Sequence, residues 1–332
     1  MNQVKKKHHT TPEMHLQHFV GDKPKGNLWV YDKTQPKPFS RPPNEIGHQR
    51  YFYAVRKPDG QIDNRLEDFL GKIESKAAPI YENLLLGNQP QSAQERHDFA
   101  TFLSLMYFRT PTMRRIHAEM RAAAIQNSCY AHTVNNFDEM VNGTQEQTGK
   151  VFTEEQKKRL KQAVLDPKDY IVQVPAEATL DALSSADKLT PLFEKMHWVL
   201  LYPKHGFFIT CDNPVYRAVD PKTIHPIMGD GGFYNKSLHI TFPLSPKAAL
   251  LMSWQRPPKR EIEVERAQVE LFNGARAYSA ERFVYSHIQH KKLSNLVEQH
   301  KDSKIKFQAQ GYGPKNYSEV KVKPPARAVK TE

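Results

Sequence analysis

Strand-like segments stand at both ends of this chain with a long helical stretch between them, and that order constrains the fold more than any other feature. Near the start, Asn27-Leu28-Trp29-Val30-Tyr31 and Arg50-Tyr51-Phe52-Tyr53-Ala54-Val55 are β-branched or aromatic runs, and Pro58-Asp59-Gly60 closes the second with turn chemistry. In the last third, residues 206–211, His239-Ile240-Thr241-Phe242, residues 248–252 and Arg282 to Tyr285 are short, apolar and turn-bounded. Strands so placed predict an α+β fold: a mixed β-sheet built from N- and C-terminal strands, packed against a central helical layer. The competing arrangement is an all-helical middle domain with separate β segments.

The helical middle carries its own punctuation. Asn64 with Glu67 and Ser92 with Glu95 are capping boxes, each opening a run of apolar residues at helical spacing. Gly87 ends the first run, and Thr110-Pro111 both stops the second and starts a helix over residues 111–126. Residues 128–175 are weakly patterned, with short helices expected at 136–146 and 153–164, and residues 178–201 turn helical again. Further helices are expected near 262–279 and 288–299. The domain reading is a basic N-terminal tail over 1–8, one α+β domain over 9–299 and a basic, flexible tail over 300–332.

Charge sharpens that division. Of the net +12, residues 1–10 carry about +3, residues 11–60 about +3 and residues 299–332 about +5, which leaves the middle nearly neutral. Basic ends can recruit nucleic acid or another polyanion, although no aromatic platform is interleaved with them. No apolar run approaches the roughly 20 residues needed to cross a bilayer, so no membrane role is expected. Cys129 and Cys211 are far apart, without metal-ligand spacing, and point to a reducing compartment, the cytoplasm by default. No Gly-x-Gly-x-x-Gly, phosphate-loop lysine or Gly-x-Ser-x-Gly elbow is present. His15 and His18 would share a helix face, but a metal site there needs a third ligand that the sequence does not offer.

A more specific signal runs along the chain. His9-Thr10-Thr11-Pro12 is followed by Leu16 and Phe19, then by Leu28-Trp29-Val30-Tyr31-Asp32-Lys33. Next come Leu66-Glu67 with Ile73-Glu74, Arg109-Thr110-Pro111, residues 208–215, Phe242-Pro243-Leu244-Ser245-Pro246, Asn273 and Arg282-Phe283-Val284-Tyr285-Ser286. In this order the motifs resemble the domain-of-unknown-function 4238 family over residues 9–290. Thr10 stands where that family usually has an aromatic residue. The resemblance brings no activity with it. It does single out His9, Glu67, Glu74, Arg109, Asp212, Asn213 and Asn273 as polar positions.

Several of these sit where polarity is costly. Glu74 falls inside the apolar stripe of its helix and must be paired, hydrogen-bonded, metal-bound or protonated. Glu67 has a capping role and lies about 10 Å from Glu74 along the axis, too far to share a metal ion easily. Arg109, in the last turn of the next helix, is placed either to pair with Glu74 or to hold a substrate phosphate or carboxylate. Asp212 follows an apolar strand directly, and Pro214 fixes Asn213 as extended, so the pair is either an Asx turn or a site at a strand end. Asn273-Gly274 costs its helix about 1 kcal/mol in propensity, which something must offset.

The functional expectation is a hydrolase-type site, a metal-dependent nuclease or phosphodiesterase. In it His9, Glu74 and Asp212 are ligands of a divalent metal or acid–base groups, with Arg109 and Asn213 contacting substrate. The alternative is a non-catalytic binding module for nucleic acid or an acidic partner. A regulatory or toxin-like protein acting through a partner is a third.

Overall fold

The N-terminal segment folds back on itself before any long helix begins. In the computed structural model, which describes residues 6–21, 26–56, 61–63, 65–166, 171–175, 177–226, 229–306 and 320–323, strand β1 (Lys7–His9) leads into helix α1 (Glu13–Gln17), β2 (Leu28–Asp32), β3 (Phe39–Arg41), β4 (His48–Arg50) and the two-residue strands β5 (Val55–Arg56) and β6 (Ile62–Asp63). β1 and β4 run antiparallel with His9 opposite His48. The strand expected over residues 50–55 breaks because Tyr51 takes a left-handed conformation, φ 54°, which ends the ladder.

Helix α2 (Arg65–Leu85) buries Leu70, Ala77, Ile80, Tyr81 and Leu84, the stripe its spacing predicts. The expected Asn64 cap lies outside the described residues. Gly87, at φ +86°, closes the helix: its N–H reaches Leu84 O and the N–H of Asn88 reaches Asn83 O. Helix α3 (Ala93–Phe108) starts with Ser92 Oγ accepting from Glu95 N, while the Glu95 carboxylate takes the N–H of Gln91. Thr110 Oγ1 accepts from Met113 N and opens helix α4 (Pro111–Thr148). This helix continues far beyond residue 126, since no proline or glycine interrupts residues 112–142. Its single irregularity is Asn136, and the helix expected at 136–146 is its second half. Helix α5 (Glu154–Leu165) follows with a Thr153–Gln156 capping box.

Strand β7 (Val172–Pro175), a run of 3-10 turns over 177–185 and helix α6 (Ala186–Lys195) lead to β8 (His197–Pro203). The helical expectation for residues 178–201 is therefore corrected beyond Met196, where Trp198 to Leu201 form an interior strand. An apolar run buried on both faces has no period to betray it. β9 (Thr210–Cys211), β10 (Tyr216–Ala218), β11 (His239–Ser245), β12 (Ala248–Ser253), β13 (Glu261–Val264), α7 (Arg266–Ser279), β14 (Phe283–Ser286), α8 (Lys291–Gln299) and β15 (Val320–Lys323) complete the order.

The α+β class stands, and the strands form more than one sheet. β3-β2-β14-β9 is antiparallel and joins the two ends of the chain. β10-β11-β12-β8-β13 is mixed, because β13 alone runs parallel to its neighbour β8. Helices α2, α3 and α6 cover one face of this mixed sheet, with Tyr81, Phe99, Phe102, Phe193, Leu200, Phe242 and Leu250 at the centre of the core. Val269 and Phe272 of α7 cover the other, against Val199, Leu201, Phe208 and Ala249.

The chain divides into two compact units: residues 1–113 with 181–305, and residues 114–180 with 306–332. Both sheets and all the candidate site residues belong to the first. In the second, Ala118 and Ala122 of α4 pack on Val172 and Val174, and β15 pairs parallel with β7. Of the basic residues expected to act as tails, Lys5, Lys315, Arg327 and Lys330 lie outside the described residues, while Lys7 sits in β1 and Lys321 and Lys323 in β15. No helix among the described residues is long and apolar enough to cross a membrane.

Candidate functional site

Arg109 is the C-cap of α3, and its side chain turns inward with only 2% of its surface exposed. Every arm of the guanidinium is engaged. Nη1 donates to Glu74 Oε1 at 2.5 Å, Nη2 to the carbonyl of His9, and Nε to Tyr53 Oη at 3.4 Å. The Tyr53 hydroxyl in turn donates to Arg109 O at 2.8 Å. Burial works against the charge, but Tyr53 and Glu74 outweigh it and hold the guanidinium pKa above its ordinary value. The buried pair across two helices is thus present, and Glu74 is spent on it.

His9 joins this group through its backbone. Its Nε2 is buried without a hydrogen-bond partner among the described residues, as is Nε2 of His48, and the two rings meet edge to face with centroids 5.6 Å apart. Burial, then the neighbouring His48, lower the His9 pKa, while Glu13 and Glu74 pull it the other way. Thr10 hydrogen-bonds Gly47 O through both its N–H and its hydroxyl, so the position unusual for the family is locally satisfied.

Asp212, which the sequence leaves open between an Asx turn and a strand-end site, is bonded to a distant turn. Its carboxylate accepts the N–H groups of Glu281, Arg282 and Phe283 at 2.8, 2.8 and 2.9 Å, and it is 3% exposed. Burial pushes its pKa up to about 6 against those three donors. Asn213 accepts from the Thr110 hydroxyl and donates to Ser279 O, both at 3.3 Å, tying the α3–α4 junction to the end of α7. Asn273 holds Ile209 N at 3.0 Å and Phe207 O at 2.8 Å. That side chain replaces a strand neighbour, so the strand expected over 206–211 shrinks to Thr210–Cys211, and the hydrogen bonds offset the helix cost of Asn273.

The structure therefore brings His9, Glu74 and Arg109 together and places Asn213 one hydrogen bond from the residue after Arg109. Asp212 is committed to the turn before β14. Among the described residues no three His, Cys, Asp or Glu side chains gather closely enough to hold a metal ion. His9, Glu74 and Asp212 are thus not a metal-ligand set, because the two carboxylates are already bound, one by Arg109 and the other by backbone. The same holds for His15 and His18. His15 is enclosed between Tyr81 Oη and Thr210 Oγ1, each 2.8 Å away, and burial holds its pKa well below the ordinary value. His18 stacks on Tyr81 and lies 3.5 Å from Glu82.

A family model described as protein of unknown function (DUF4238) matches residues 7–290. The chain belongs to this family. No curated protein and no solved structure matches it. Membership in DUF4238 agrees with the ordered motifs from His9 to Ser286, whose polar members include His9, Glu74, Arg109, Asp212, Asn213 and Asn273.

A second polar locus was not anticipated from the sequence. A pocket of about 520 Å³ is lined by Gln89, Pro90, Arg96, His197, Trp198 and residues 256–260, with four Lys or Arg side chains and no Asp or Glu. Arg96 is fixed there: it donates to Glu194 O at 2.7 Å and Met196 O at 2.5 Å, and stacks over the Trp198 ring at 4.3 Å. Burial lowers its pKa and Arg260 adds repulsion, against attraction from Glu194. Arg256-Pro257-Pro258-Lys259-Arg260 is a visible cluster in the sequence; its meeting with Arg96 requires the fold.

Proposed function

We propose that this protein is a non-catalytic binding module for a phosphate-bearing polyanion, single-stranded nucleic acid in the first instance. The observation that carries this reading is the cationic pocket between the start of α3 and the β12–β13 connection. Arg256, Lys259 and Arg260 are solvent-exposed on a connection stiffened by Pro257 and Pro258, and Arg96 beneath them is already oriented. Phosphates entering such a pocket replace mutual repulsion with charge-assisted hydrogen bonds and release counterions. The Trp198 ring is buried and locked by its own bond to Phe193 O at 2.9 Å. It therefore supports Arg96 and leaves no base-stacking surface, which favours backbone recognition over sequence recognition.

The test is fluorescence anisotropy with a labelled single-stranded RNA across a salt series. Arg256→Glu/Lys259→Glu/Arg260→Glu should weaken binding at least about tenfold and lower the salt slope by roughly 2, at about 0.7 per lost phosphate contact. Unchanged affinity and slope in the triple variant would refute the reading.

Hydrolysis of such a polyanion is the second reading, and it rests on His9. Its unpartnered Nε2 and lowered pKa suit a general base, with Arg109 and Glu74 alongside. RNA cleavage by the wild type, abolished in His9→Gln at unchanged stability, would favour it over simple binding.

A further inference from the structure

Two arginines lie wholly inside the first unit, and they are treated in opposite ways. Arg109 has a carboxylate, a backbone carbonyl and a phenol for its three arms. Arg276, in α7, has no exposed surface at all, and its side chain makes a single hydrogen bond among the described residues, from Nη2 to Thr241 Oγ1 at 2.7 Å. Its Nε and Nη1 meet no acceptor among the described residues. No carboxylate among the described residues forms an ion pair with it.

A buried guanidinium without a counter-ion costs several kcal/mol. Aromatic neighbours offset part of that: the Phe272 ring centroid is 4.3 Å from its central carbon and that of Tyr216 is 5.7 Å away. Such contacts offset the cost only in part and leave the in-plane donors unused. The other groups acting on it do not supply a negative charge. Cys211 is a buried thiol whose pKa is pushed up to about 12 by burial and by Asp212, so it stays protonated. His15 is neutral, its own pKa lowered by burial, His18 and Arg276. Arg276 itself, lowered by burial to about 10, stays protonated at neutral pH.

We propose that Arg276 anchors a binding site for a small monocarboxylate, which enters beneath the edge strand β10 and lies against the Phe272 and Tyr216 rings. The charge argument selects the class. One cation neutralises one negative charge, whereas a phosphate near its dianionic form would leave a second charge buried. Shape agrees, since a planar carboxylate fits alongside aromatic rings and meets a guanidinium edge through paired N–H donors. We place the entry at β10 because it is the edge strand of its sheet, three residues long, with Tyr216 and Arg217 half-buried and Ala218 exposed. Thr241 lies opposite Tyr216 in register and supplies the hydroxyl that orients the guanidinium.

Thermal denaturation of the full chain in sodium acetate, propionate and benzoate tests this, with sodium chloride at equal ionic strength as the control. A saturable rise in Tm is expected with at least one carboxylate and none with chloride. Arg276→Met, which keeps the length and apolar contacts, should weaken the response at least about tenfold. Thr241→Val, a milder change, should weaken it severalfold and keeps the test valid if the first variant fails to fold. Repeating the titration in the Arg256→Glu/Lys259→Glu/Arg260→Glu protein separates this site from the cationic pocket, because the carboxylate response should persist there. Equal effects of chloride and carboxylate, no response in the wild type, or a response untouched by both substitutions would each overturn the assignment.

Discussion

Replacing Asp212 with alanine discriminates a site residue from a structural one. The substitution removes the acceptor of three backbone N–H groups at Glu281, Arg282 and Phe283, in a place where the carboxylate is 3% exposed. A buried donor left unsatisfied costs about 1–3 kcal/mol, and water entering the vacated space recovers some of it, so the total is about 3–6 kcal/mol. At roughly 2–4 °C per kcal/mol for a domain of this size, Tm should fall by about 10–20 °C. The pH dependence adds a second signature. The folded pKa of about 6 lies above the ordinary 3.8, so the folded protein binds this proton more tightly than the unfolded chain does. The ionised group therefore opposes folding above about pH 6, and the opposition fades as pH falls toward 4. Urea denaturation at pH 7 and pH 4 should show wild type gaining about 2 kcal/mol relative to Asp212→Ala on acidification. A variant melting within about 2 °C of wild type, with the same pH profile, would refute the structural assignment and return Asp212 to candidacy as a functional group.

Two further outcomes follow from the same bonding. Asn273→Ala strips Ile209 N and Phe207 O of their partners and should cost about 2–4 kcal/mol in denaturant titration, whereas Gly274→Ala in the next position, with nothing within 4 Å of the added carbon, should be neutral or stabilising. Glu74→Leu leaves Arg109 buried without its carboxylate and should cost about 3 kcal/mol; Glu74→Leu/Arg109→Met should recover a good part of that, as a double-mutant cycle would show.

What could be read from the sequence was local. Ser92 with Glu95, Thr110 with Pro111, Thr153 with Gln156 and the α2 stripe depend on residues within a few positions of each other, and hydrophobic spacing with cap chemistry suffices to see them. The Glu74–Arg109 pair was legible because each residue interrupts an apolar face. Trp198 to Leu201 were misplaced because a strand covered on both sides carries no alternation, and nothing breaks the chain between it and α6. Asp212 and Asn213 were visible as polar residues after an apolar run. Their partners, at 279 and 281–283, are far away in sequence, so site and turn could not be separated. Arg276 could have been found: it lies on one helix face with Val269, Phe272 and Asn273, where a cation needs an explanation. The cationic pocket could not, because Arg96 joins residues 256–260 only through the fold.

The pairing of β2 with β14 has a consequence for how the protein is made. Asp32 and Arg282, clasped at the end of that ladder, are 250 residues apart. A ribosome adding roughly 5–20 residues per second exposes β2 for about 12–50 s before its neighbour is synthesised. Through that interval Trp29, Val30 and Tyr31 wait for the strand that completes their sheet, so this ladder forms only when the last third has emerged.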